Sequence, residues 1–134
     1  MIPATAQIVR LAGLQAIFYL VSGLWPIVSI RTFEAITGPK VDRWLVKTVA
    51  ALVAVIGGAL ALASRRRQVS PEIVLVATAS ATALATIDVV YVAKRRISWV
   101  YLLDAVAEIA LAAGWARLWW QSSVKAGSPE HTLR

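Results

Sequence analysis

The stretch Ile87–Leu111, IDVVYVAKRRISWVYLLDAVAEIAL, decides how the rest of the chain is read. Two apolar segments flank a basic turn, Lys94-Arg95-Arg96. The flanks are nearly palindromic, with Asp-Val-Val-Tyr leading in and Tyr-Leu-Leu-Asp leading out. This is the pattern of a helical hairpin. It nevertheless places three carboxylates, Asp88, Asp104 and Glu108, inside segments that otherwise have the composition of membrane spans. An acid in hydrocarbon is costly, so it faces a bundle interior and points to a site.

Working outward, the 134 residues are 59% hydrophobic, with a mean hydropathy of +0.70. A soluble domain is nearer half apolar. The excess lies in four blocks of about 20 residues, each enough to cross a bilayer at about 1.5 Å per residue. The expected spans are 8–30, 43–63, 71–93 and 99–120. The expected fold is all-α: an integral-membrane four-helix transmembrane bundle made of two antiparallel helical hairpins. It forms one domain, 1–120, followed by a polar, disordered tail, 121–134. The only histidine, His131, falls in that tail. The uncharged run Leu11–Ile30 is too long for the apolar core of a signal peptide and is read as a retained span.

Local signals set the boundaries. Pro26 removes a helical hydrogen bond at the carbonyl of Ser22, which predicts a kink in span one. Thr37-Gly38-Pro39 marks a turn within a loop from Thr32 to Val41, and Asp42 is placed to cap span two. Ser70-Pro71-Glu72 reads as cap, first-turn proline and first-turn acid of span three. Ser98 caps span four, for which an interfacial helix is the rival assignment because Asp104, Glu108 and Arg117 interrupt it. The small residues of span two, around Gly57 and Gly58, and the run Ala77–Thr86, ATASATALAT, predict close packing of spans two and three. Trp25, Trp44 and Trp99 fall near one surface, and Trp115, Trp119 and Trp120 near the other, as two aromatic belts.

The net charge of +7 comes from basic residues at helix ends, where they meet anionic headgroups, so membrane lipids are expected partners and nucleic acid is not. With no cysteine, the chain has no disulfide, thiolate nucleophile or Cys-ligated metal. Basic residues divide seven to seven between the two sides, so charge bias alone does not orient the chain. The compact triplet Arg65-Arg66-Arg67 breaks the tie and places the termini on the cytoplasmic side of a bacterial-type inner membrane.

Helix rise sets the depth of the acids. Asp88 and Asp104 each lie about eight residues from the turn centre, roughly 12 Å from that end, and therefore on one level. Tyr91 and Tyr101 sit one turn nearer the surface. Lys47 and Ser22 reach the same depth from the same side. Glu108, at i+4 from Asp104, shares its face nearer the bilayer centre and has no evident partner. The candidate proton- or ligand-binding residues are thus Asp88, Asp104, Glu108, Tyr91, Tyr101, Lys47 and Ser22.

Several roles fit these residues. A purely structural polar cluster is one. Binding of a small hydrophobic or cationic ligand, ion or partner subunit is another, extending to a small proton-coupled transporter. Acid/base catalysis on a lipid or isoprenoid, of an isomerase kind, is a third. No catalytic motif or cofactor signature is present, and histidine-dependent di-metal chemistry lacks its ligands. The reading taken is a non-enzymatic membrane component that works as a homo-oligomer or as a subunit of a larger membrane complex.

Overall fold

In the computed structural model, residues 5–127 are described, and among them every regular element is helical. Five helices follow in order: α1 (Ala6–Val28), α2 (Ile30–Thr37), α3 (Arg43–Arg66), α4 (Pro71–Ala93) and α5 (Tyr101–Ala126). Helices α1, α3 and α4 are long and apolar enough to cross a membrane. Leu14, Val55, Leu75 and many other large apolar side chains face outward, as in a chain solvated by lipid.

The first span ends sooner than expected. The α1 helix is capped by Thr5, whose hydroxyl accepts the Ile8 N–H, and it runs through Pro26 to Val28. The break comes at Ser29, whose backbone is extended (φ −148°, ψ 90°) and whose N–H still bonds the Trp25 carbonyl at 2.8 Å. Ser29 then caps α2. The segment expected as loop is therefore a short helix. It is tied back by the Trp25 indole, which donates to Thr32 Oγ1 at 2.9 Å and meets Phe33 edge-on at 5.4 Å. Serine supports this break because its side chain replaces the backbone partners that a new helix start lacks. Gly38, at φ 98°, then reverses the chain where a side chain would be strained.

The other boundaries follow local chemistry. Asp42 stands at the start of α3, but it acts through its backbone carbonyl and its carboxylate makes no cap bond. Arg67, at φ 53°, ends α3 in the left-handed region and returns its N–H to Ser64. Ser70 caps α4 by accepting the Ile73 N–H. Ser98 accepts the Val100 N–H within a turn, so α5 begins two residues later than expected, at Tyr101. At its other end α5 continues through Gln121 to Ala126, past the expected end at Trp120. His131 and the rest of the expected tail beyond Gly127 lie outside the described residues.

The close pairs are α1 with α3 and α4 with α5; contacts between α3 and α4 are far fewer. This corrects the expected tight packing of spans two and three. The small face of α3 is taken by α1. A Cβ on Gly23 would lie 2.6 Å from the Ala50 carbonyl oxygen, and one on Gly57 would lie 3.0 Å from the Leu20 nitrogen. These contacts are antiparallel, since Gly23 meets the start of α3 while Gly13 meets Ser64 near its end. On α4, the buried alanines Ala77, Ala81 and Ala85 share a face with Asp88. Small residues let helix backbones approach, and in lipid that close fit replaces the hydrophobic drive available in water.

Candidate functional site

The antiparallel pairing of α1 with α3 points Gln15 and Tyr19, one turn apart, away from lipid; both are fully buried. Opposite them α5 presents Glu108 and Trp115, seven residues apart and so on one face, with exposures of 1% each. The two faces are joined by short hydrogen bonds. Tyr19 Oη donates to Glu108 Oε2 at 2.7 Å. Trp115 Nε1 donates to Gln15 Oε1 at 2.6 Å, and Gln15 Nε2 donates to the Ala77 carbonyl at 3.0 Å. One glutamine thereby ties α1 to both α5 and α4. Trp115, expected in an interfacial belt, is instead one of the most buried side chains of the protein.

Asp88 lies beside this network. Its carboxyl interacts with that of Asp104 across the α4–α5 hairpin and lies within electrostatic range of Glu108. Asp104 is partly exposed, whereas Asp88 is buried. Asp88 Oδ2 is shielded from solvent and, among the described residues, has no hydrogen-bond partner. A buried, unmatched carboxylate oxygen is an uncommon feature that needs an explanation. Among the described residues, the ion pair present is Arg43–Glu34 at 2.9 Å, outside the helix interior. None of the three acids has a basic partner there. Nor are three acidic or histidine side chains placed together to hold a metal ion among the described residues.

The expected candidates therefore divide. Asp88 and Asp104 face each other within the α4–α5 hairpin with Glu108 in electrostatic range, and Glu108, expected to lack a partner, has one in Tyr19. Tyr101 sits at the edge, where Lys40 Nζ lies 5.0 Å over its ring. Tyr91 is exposed and pairs with Lys94 instead, 5.7 Å from its ring centroid. Lys47 is exposed, so it does not neutralise the acids. The Ser22 hydroxyl bonds the Phe18 carbonyl of its own helix at 2.6 Å. Sequence reasoning missed Gln15, Tyr19 and Trp115. Their signal was the i, i+4 spacing of Gln15 and Tyr19 in an otherwise nearly nonpolar span.

Outside the helix interior, two hydrogen bonds from Arg43 hold the Glu34 carboxyl below its ordinary pKa. This contact staples the α2–α3 connection.

Compared with known family models, with curated proteins and with solved structures, the chain shows no match.

Proposed function

We propose that this chain is a small four-span membrane protein whose buried acids bind a proton or a small cation. The observation that carries the reading is Asp88 Oδ2, unpartnered among the described residues and beside Asp104, with no basic side chain among those residues paired to either. Two carboxylates drawn together out of water repel each other, and a cation between them relieves both the repulsion and the desolvation cost. Tyr19–Glu108 lies in the seam between the hairpins, and Glu108 is within electrostatic range of Asp88, which links occupancy of this region to the way the hairpins meet.

The fourth span is α5. Its 26 residues give about 39 Å of helix, more than the hydrocarbon thickness. Its acids turn inward while Leu103, Val106 and Ile109 face out, as intramembrane acids require. One domain then covers the four spans. Binding is a non-enzymatic role, exercised in a bacterial-type inner membrane with the termini on the cytoplasmic side, by a homo-oligomer or a subunit of a larger membrane complex.

The test is thermal unfolding in lipid nanodiscs across pH, and with sodium, potassium or tetraphenylphosphonium added. The wild type should gain stability as protons or one of these cations are supplied, and Asp88→Asn should abolish the gain while folding normally. An Asp88→Asn protein that keeps the wild-type response would overturn the assignment. A wild type with no response to any of these cations and a flat pH profile would reduce the acids to a structural cluster.

A further inference from the structure

A second feature lies at the opposite end of the bundle from the Asp88 region. The antiparallel register of α1 and α5, set by Tyr19–Glu108 and Gln15–Trp115, continues outward to bring Arg10 opposite Arg117. Between the two helices is an open cleft of about 400 Å³. Its base is apolar, formed by Leu11, Leu14 and Leu118, with Gly114 admitting Leu11 so closely that a Cβ there would be 3.3 Å from Leu11 Cδ2. Its rim carries both arginines. Gln7 and Gln121 complete the lining with uncharged donors.

Both guanidinium groups are exposed, and among the described residues neither forms an ion pair. Two cations flanking one cleft repel each other unless an anion lies between them. Guanidinium forks match phosphate oxygens in a bidentate geometry. The apolar base below them suits acyl chains and gives a free inorganic anion nothing to gain. Leu14, 64% exposed, opens that base toward lipid.

We propose that the α1–α5 cleft binds an anionic phospholipid, its phosphate held between Arg10 and Arg117 and its upper acyl chains laid on Leu11, Leu14 and Leu118. The site stabilises the contact of α1 with α5, which joins the two hairpins at their sparser interface. This inference rests on α5 crossing the membrane, as proposed above. That premise is read separately by single-cysteine labelling, since the chain has no cysteine of its own. Gln68→Cys and Ser122→Cys should label from the same side, and Pro39→Cys from the other.

The experiment measures binding of a short-chain phosphatidylglycerol to the purified full chain in neutral detergent, by native mass spectrometry and thermal shift. Phosphatidylcholine of equal chain length and inorganic phosphate are the comparison probes. Phosphatidylglycerol alone should bind and stabilise. Arg10→Gln/Arg117→Gln should weaken it by about tenfold or more, the loss expected for charge-assisted hydrogen bonds. The triple variant Arg65→Gln/Arg66→Gln/Arg67→Gln, on the same membrane face, should bind as wild type does. Equal stabilisation by inorganic phosphate would overturn the lipid assignment in favour of a plain anion site. Unchanged binding by the double variant, or an equal loss in the triple variant, would overturn the cleft. Labelling of Ser122→Cys from the Pro39 side would instead remove the four-span premise.

Discussion

Replacing Gly23 by alanine tests the packing that places Tyr19 and Gln15. The added Cβ would stand 2.6 Å from the Ala50 carbonyl oxygen and 2.8 Å from the Ala54 nitrogen, whereas real Cβ contacts essentially never fall below 3.0 Å. Both obstacles are backbone, so no rotamer change relieves them. Helices α1 and α3 must separate by at least about 0.4 Å along this line, the difference between 3.0 and 2.6 Å. Overpacking of this kind costs about 1–3 kcal/mol. Alanine also gains about 0.5–1 kcal/mol over glycine from helix propensity, which partly offsets the clash. Gly58→Ala is the matched control: it has the same propensity gain, and nothing lies within 4 Å of the new methyl. The stability difference between the two variants isolates the clash and should be about 1–3 kcal/mol, with Gly23→Ala the weaker. Unfolding in mixed neutral and dodecyl sulfate micelles, followed by helical circular dichroism, measures it. Shortening the partner, as Ala54→Gly, should not rescue Gly23→Ala, because the Ala54 side chain is not the obstacle. Equal stabilities of Gly23→Ala and Gly58→Ala would refute the close approach, and with it the positioning of the α1 polar face.

Three further outcomes are expected. A double-mutant cycle of Tyr19→Phe with Glu108→Leu should show coupling of about 0.6–2 kcal/mol, the range for interhelical hydrogen bonds in membranes; additive losses would dispose of that bond. Gln15→Leu should cost about 1–3 kcal/mol by stranding the Trp115 N–H and removing the second donor of the Ala77 carbonyl, and adding Trp115→Phe should then cost less than it does in the wild type, as thermal unfolding of the pair would show. Because the Arg43 hydrogen bonds lower the Glu34 pKa, the stabilisation from that contact is complete above the ordinary glutamate range and disappears as the pH falls through the lowered pKa. Carboxyl-carbon NMR should show the Glu34 midpoint moving back up toward its ordinary value in Arg43→Gln, and an unmoved midpoint would contradict the assigned cause.

Chain chemistry alone went far with the helices and less far with their partners. Apolar block length located α1, α3 and α4, and Ser70-Pro71 marked the start of α4 to the residue. The break at Ser29 was obscured because Pro26, three residues earlier, carries the stronger breaking signal, yet a proline near a helix end can be tolerated without ending the helix. Which helices pack closely was also hidden. Glycine and alanine occur on α1, α3 and α4, and composition does not say which small face meets which. That depends on azimuth: Gly23 happens to oppose Ala50 and Ala54, whereas Gly58, beside the equally small Gly57, faces outward. The acids were legible because each is an isolated acid in an apolar stretch of sequence. Their partners were not. Lys47 lies at the right depth, but depth fixes only one of two coordinates, and the side chain is exposed. Tyr19 and Gln15, uncharged and cheaper to place in a span, stood out less than the carboxylates they accompany.

Two kinds of contact divide the bundle. Within each hairpin, α1 on α3 and α4 on α5, backbones approach over small residues, and such packing is dense and hard to separate by degrees. Between the hairpins, helix contacts are sparser, and the seam carries Tyr19–Glu108, Trp115–Gln15 and Gln15–Ala77. In lipid, a seam of this kind gains little from burying apolar groups, because the alternative solvent is equally apolar. Its free energy is concentrated in a few directional bonds, one of which ends on an ionisable group. Losing the Tyr19–Glu108 bond therefore acts on the interface least supported by packing. The lipid site proposed at Arg10 and Arg117 bears on that same seam, whereas the cation site proposed at Asp88 and Asp104 lies within the α4–α5 hairpin.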